Sequence, residues 1–234
     1  MMVLHHCMSA RSFRALWMLE ELGVPYELRM LEFPPRARAR HFLQENPLGT
    51  VPLFTDGDVR MTESAAICQY LATRFTGAGL AVSTEDESYG AYLNWLHMSD
   101  ATLTFPQTLV LRYRHFEPHE RRQPEVAADY EKWFLGRLRA VDAALEHEAF
   151  LCAGRFTAAD VAVGYALLLA QHLELHTSFS SRVQSYWDLL QQRRGYRRAH
   201  EIQLDTARQQ SVSLTAAPDL RPFPAGVPSW CEFS

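Results

Sequence analysis

Asn46-Pro-Leu-Gly-Thr-Val-Pro-Leu-Phe54 is followed eight residues later by Thr62-Glu-Ser-Ala-Ala-Ile67. An apolar strand is entered here through an X-Pro bond, turns at Asp56-Gly-Asp58, and gives way to a helix that opens with an acid and a hydroxyl. Val51 can offer its backbone N–H and C=O to an extended peptide as an added strand would. Pro52 has no N–H to donate. Since only ~5% of X-Pro bonds are cis in general, the residues alone favour a trans bond at Pro52. At the helix start, free N–H groups and the Ser64 hydroxyl suit a carboxylate, and Glu63 suits an ammonium. An α-amino acid head group carries both charges. Each piece also fits a plainer role, Thr62 and Glu63 as helix caps and Pro52 as a strand opener.

Outward from this stretch, Met2 to Cys7 reads as a strand. Ser12 to Leu22 reads as a helix whose apolar stripe runs through Phe13, Leu16, Trp17 and Leu19 and ends at Gly23. Tyr26 to Met30 alternates as a half-buried strand, and Arg36 to Glu45 reads as a second helix. Val51 to Thr55 with Val59 to Met61 reads as a hairpin, and Glu63 to Phe75 as a third helix. The order is βαβαββα, with the strand order in the sheet left open. A polar linker spans 77–87, after which Ser88 to His115 (bent at Pro106), Glu125 to Glu148, Thr157 to Leu175, Tyr186 to Arg193 and Tyr196 to Gln210 all read helical. Thr157 and Asp160 have capping-box spacing. The predicted organisation is an α/β domain over 1–76, an all-α domain over 88–210 and a Pro-rich tail over 211–234, which could pack as an extended lid or arm.

The chain of 234 residues is 47% hydrophobic, enough for a core, and its net charge of -4 argues against a polyanion-binding surface. Nucleic acid is not an expected partner, and Arg36-Ala-Arg-Ala-Arg40 reads as the solvated face of a helix. No apolar run or N-terminal signal core points to a membrane or to export, so a cytoplasmic location is expected. Cys7, Cys68, Cys152 and Cys231 form no Cys-x-x-Cys pair, and His5 and His6 would face opposite sides of a strand, so no metal site is expected.

Together these motifs resemble the cytosolic glutathione S-transferase superfamily. Asn46 to Pro52 is similar to the loop before that family's cis-proline, and Glu63-Ser64 to its γ-glutamyl-binding pair. Ala153-Gly-Arg-Phe-Thr-Ala-Ala-Asp160 and Gly195-Tyr-Arg-Arg-Ala199 resemble its helical-domain signatures, so the likeness spans about residues 2 to 205. The resemblance implies a thioredoxin-like N-terminal domain followed by an all-helical one. It also implies a homodimer, and glutathione as co-substrate with no other cofactor. The implied reaction adds the glutathione sulfur to a small hydrophobic electrophile. Thr50, Val51, Pro52, Glu63 and Ser64 are the implied glutathione-binding residues. His97, Ala101 and Thr104 would line the electrophile site, and Asp100 would reach glutathione across a subunit boundary.

A group that favours the thiolate is expected between the first strand and first helix, where a hydroxyl and the helix dipole both stabilise negative charge. Ser9, Ser12, Cys7 and the charge of Arg11 are the candidates. Zeta-like and omega-like members place this group five residues before an Arg equivalent to Arg14, which selects Ser9 as the catalytic and glutathione-binding residue. Theta-like members place it four before, where this chain has Ala10. Two other functions stay open: glutathione-dependent disulfide or peroxide reduction through Cys7, and a non-catalytic glutathione-binding module.

Overall fold

The computed structural model describes residues 1–220, so Cys231 and the rest of the Pro-rich tail over 221–234 lie outside the described residues. β1 (Met2–His6), α1 (Phe13–Leu22), β2 (Tyr26–Met30), α2 (Pro35–Arg38), β3 (Leu53–Asp56), β4 (Val59–Met61) and α3 (Ser64–Arg74) build the first layer. The sheet has the order β2-β1-β3-β4, with β1 parallel to β2 and the other neighbours antiparallel. Leu4 pairs with Leu28 on one side and Phe54 on the other, placing the most apolar strand at the centre. His5 and His6 alternate across the sheet as expected. The His5 ring meets Phe42, whereas His6 turns toward Ser12 and Gln203.

Three expectations for this layer change. The predicted second helix is two pieces, α2 and a 3-10 turn over Arg40–Gln44, because the backbone at Ala39 leaves helical geometry. Strand β3 starts at Leu53, so Val51 and Pro52 precede the sheet. The Val51–Pro52 bond is cis, against the generic frequency and in line with the family resemblance.

The remainder is helical: α4 (Tyr89–Met98), α5 (Phe105–Leu111), α6 (Pro124–Ala144), α7 (Ala158–His172), α8 (Ser181–Gln191) and α9 (Arg194–Gln209). Between α4 and α5 the helix widens to a π turn over Ser99–Thr104, just before the predicted bend at Pro106. The Ser99 carbonyl accepts from the side chains of Thr104 and Arg14. α7 is buried along nearly its whole length, and the Thr157–Asp160 capping box is formed. Asp160 also accepts from Leu151 N–H and the Tyr186 hydroxyl, which explains a buried acid at this helix start. α8 begins five residues before the predicted Tyr186, since Ser180 caps it through Val183 N–H.

The two layers meet along α1, which packs on α3, α7 and α9. A side chain at Gly164 of α7 would lie only 2.7 Å from the Trp17 ring, so glycine is required for this approach. Tyr196 at the start of α9 stacks edge-on against Phe13, Trp17 and Trp187. The same interlayer seam holds a buried polar chain. Ser12 donates to His6 Nδ1 at 2.7 Å, and His6 Nε2–H donates to Gln203 Oε1 at 3.0 Å.

Candidate functional site

A cavity of about 320 Å³ lies between the layers. Ala10, Arg11, Arg36, Thr50, Val51 and Pro52 line its sheet side, and Thr62, Glu63 and Ser64 its floor. The helical layer adds Thr108, Leu111, Phe116, Tyr165 and Leu169. The lining is mostly apolar, with Arg11, Arg36, Glu63 and Ser64 among its charged and polar groups, as a ligand with a peptide head and a hydrophobic substituent would require.

The loop before β3 is locally determined. Buried Asn46 donates from Nδ2 to the Thr50 carbonyl at 2.8 Å and accepts from Leu48 N–H. Gly49 has φ +59 and would place a Cβ 2.6 Å from Arg36 Cβ, so no other residue fits. These constraints set Val51 at the cavity wall, outside the strand ladder, where its backbone can receive an extended peptide.

At the floor, Glu63 precedes α3 in extended conformation and no side chain caps the helix. Its first-turn N–H groups are thus directed at the cavity with the positive end of the helix dipole. Ser64 Oγ accepts a 2.9 Å hydrogen bond from Arg14 Nη1, which leaves the hydroxyl proton to donate to an incoming carboxylate. The exposed Glu63 carboxylate has no partner among the described residues and can take an ammonium.

Arg14 is fully buried, and its donors are all used. Besides Ser64 it bonds Ala162 O, Asp100 Oδ1, Ser99 O and Thr104 Oγ1 at 2.7–2.9 Å, with Tyr165 under its guanidinium at 4.8 Å. Asp100 lies between Arg14 and Arg11, whose Nη1 is 3.3 Å from both its oxygens. Burial pushes the Asp100 carboxyl up, but the two guanidiniums outweigh burial and hold it below the ordinary range. Arg11 also donates to Thr108 Oγ1 at 2.8 Å, which fixes its charge at the cavity edge.

The expected residues divide clearly. Thr50, Val51, Pro52, Glu63 and Ser64 come together. Ser9, expected to face a bound sulfur, is not among the residues that line the cavity. Ser9 has φ 51, its N–H donates to Gln203 Oε1 at 3.0 Å, and its hydroxyl lies toward Gln203 Nε2. That left-handed turn carries Ala10 and Arg11 to the cavity instead. Ser12 donates to His6, and Cys7 is fully buried. Burial, with the Glu32 charge adding to it, pushes the Cys7 thiol well above its ordinary pKa.

The expected electrophile residues are also displaced. His97 and Ala101 are exposed on the outer face of the α4 path, and Thr104 is buried as an acceptor for Arg14. Asp100 is engaged within its own chain. Arg36, expected on a solvated face, lines the cavity. Tyr165, which the sequence reading did not single out, lines the cavity and directs its hydroxyl to Ser9 O at 3.5 Å. Burial pushes its phenol up to about 12, so it remains a donor at neutral pH.

Residues 1–73 match the family model described as "Glutathione S-transferase, N-terminal domain". A fission yeast relative, "Glutathione S-transferase 3" of Schizosaccharomyces pombe, is 38% identical over 104 residues, covering 44% of this chain and 43% of the relative. "Glutathione S-transferase hmp2" of Hypomyces subiculosus is 30% identical over 132 residues, covering 52% of this chain and 62% of the relative. The matches thus span about half the length of these relatives. A glutathione transferase structure from Methylococcus capsulatus superposes with TM-score 0.76 at 23% identity, covering 86% of this chain and 98% of that one. A sphingomonad glutathione S-transferase complexed with glutathione gives TM-score 0.75 at 22% identity, with the same coverages of 86% and 98%. Residues 1–73 are therefore similar to the glutathione S-transferase N-terminal domain, within a chain that has the fold of the solved glutathione transferases.

Proposed function

We propose that the protein is a glutathione transferase that joins the sulfur of reduced glutathione to small hydrophobic electrophiles. The observation that carries this reading is the convergence, in one cavity, of the Val51 backbone, the Arg14-polarised Ser64 hydroxyl, the uncapped start of α3 and Glu63. The γ-glutamyl carboxylate would receive Ser64 and the α3 N–H groups, its ammonium Glu63, and the cysteinyl backbone Val51. The thiol then lies near Ala10 and Arg11. Lowering a thiol pKa by ~2 units takes roughly 2.7 kcal/mol of preference for the anion, within reach of a guanidinium plus the start of α1. We assign that role to Arg11, with Ser9 fixing the loop through Gln203. The thiolate adds to the electrophilic carbon, a C–S bond forms, and any leaving group departs with its electron pair. Holding both partners together makes the addition effectively intramolecular. A homodimer and a cytoplasmic location belong to the same reading; Phe105, 49% exposed, is apolar surface that a partner copy would cover.

Ultraviolet titration of glutathione bound to the protein tests this reading. A bound thiol pKa well below that of the free tripeptide, raised part of the way back in Arg11→Gln, is the expected result; no binding would overturn it. Ala10, standing on the cavity wall where theta-like members carry a hydroxyl, favours a binding-only module as the second reading. Turnover well above the uncatalysed rate with any electrophile excludes that alternative. The burial of Cys7 speaks against reduction through a protein thiol.

A further inference from the structure

After α9 the chain turns back across the cavity. Ser213 N–H donates to the Glu32 carboxylate at 2.8 Å, and Ala217 N–H donates to the Met8 carbonyl at 2.7 Å. Ala217 is 2% exposed and packs with Cys7, Ala10 and Leu53, while a 3-10 turn over Ala217–Asp219 brings both Asp219 oxygens to 2.9 Å from His172 Nδ1. Ala217 and Pro218 line the cavity. Its wall is therefore drawn from three sources: the sheet layer, the helical layer and this returning arm.

We propose that the arm over 213–219 is the specificity-determining wall of the acceptor subsite, and that the Asp219–His172 pair pins it there. The inference rests on the glutathione reading above. With the thiol near Ala10, an acceptor has to extend away from the charged floor toward the apolar face of Leu111, Phe116 and Leu169. Pro218 borders that face. Ala217 is bonded to the carbonyl of Met8, two residues before Ala10, so wall and sulfur are held in fixed register. A rigid wall at that distance selects slender or short acceptors and rejects long ones. His172 closes α7 and is largely covered, whereas Asp219 is 45% exposed in its side chain, so the pin can be removed from the arm side without opening the core.

Calorimetric binding of glutathione and of a series of S-alkylglutathiones of increasing chain length tests this without requiring turnover. In the unaltered protein, affinity should rise about fourfold per buried methylene until the chain reaches the arm, then level off. In Asp219→Ala the plateau should move about two carbons further, while glutathione itself binds within about twofold of the original. His172→Ala should give the same shift, and the double variant no more than either alone. An unmoved plateau, with or without a lowered melting temperature, overturns the assignment, as does binding of glutathione with no chain-length dependence. Failure to bind any member of the series would instead overturn the glutathione reading on which the assignment rests.

Discussion

Acidification should destabilise this protein through His6 before any carboxylate is reached. The ring is wholly buried, accepts from Ser12 at Nδ1 and donates to Gln203 from Nε2, a pattern that only the neutral imidazole can make. Burial depresses its pKa to about 4 in the folded protein, against 6.5 for an unconstrained histidine. A depressed folded pKa means that the unfolded chain binds the proton first. The stabilisation is complete above the unfolded value and falls as pH drops through the folded one. Integrating the difference in bound protons from about pH 7 to about pH 5 gives a loss of about 2 kcal/mol for this single ring. His200, lowered to about 4 mainly by burial, adds its own loss over the same window, so the unaltered protein alone does not isolate His6. His6→Asn retains one donor and one acceptor but does not titrate. Urea unfolding at the two pH values, for both proteins, should show an acid-induced loss smaller by about 2 kcal/mol in the variant. Equal losses, within about 0.5 kcal/mol, would refute the account of a neutral, pinned His6.

Four further outcomes are expected. Ser64→Ala should weaken glutathione binding about tenfold by calorimetry, since it removes one charge-assisted donor, and should cost about 1 to 3 kcal/mol in unfolding, since it leaves one buried Arg14 N–H without its acceptor. Arg14→Met leaves Asp100 with Arg11 alone and takes the side-chain donor from Ala162 O, Ser99 O and Thr104 Oγ1, and should cost about 3 to 5 kcal/mol in urea unfolding, with Asp100→Asn in the same chain restoring part of it. Ser9→Ala should leave the bound-thiol pKa unchanged, whereas Arg11→Gln should raise it by about one unit in the ultraviolet titration. Gly164→Ala drives a methyl into Trp17 and Leu190 and should cost about 1 to 3 kcal/mol by denaturant unfolding.

The fold was legible because its signals are local. The alternating run at Tyr26–Met30, the stripe from Phe13 to Leu19, and the Thr157–Asp160 box each announce themselves within a few residues. The grouping of Val51, Glu63 and Ser64 at one cavity was legible for the same reason, since they are close in sequence. The orientation of Ser9 was not legible, because it is decided by Gln203, far along the chain, and by a left-handed backbone that serine does not advertise. His97 and Ala101 rest on the resemblance rather than on a local pattern, so nothing near them in sequence announces that both are exposed. The arm over 213–219 carries no periodicity at all, and its proline content gave no contact partner.

Arg14 has a consequence for how such a chain can be recombined. The guanidinium belongs to α1 of the sheet layer, yet most of its acceptors, Asp100, Ser99, Thr104 and Ala162, belong to the helical layer. Ser64 receives its polarising donor from a side chain whose charge is neutralised only on the far side of the boundary. Residues 1–73 transplanted onto a helical partner without an acid at the Asp100 position would carry an unmatched buried cation beside Ser64. The cavity floor is thus joint property of both layers, and modular exchange between them is constrained by one ion pair.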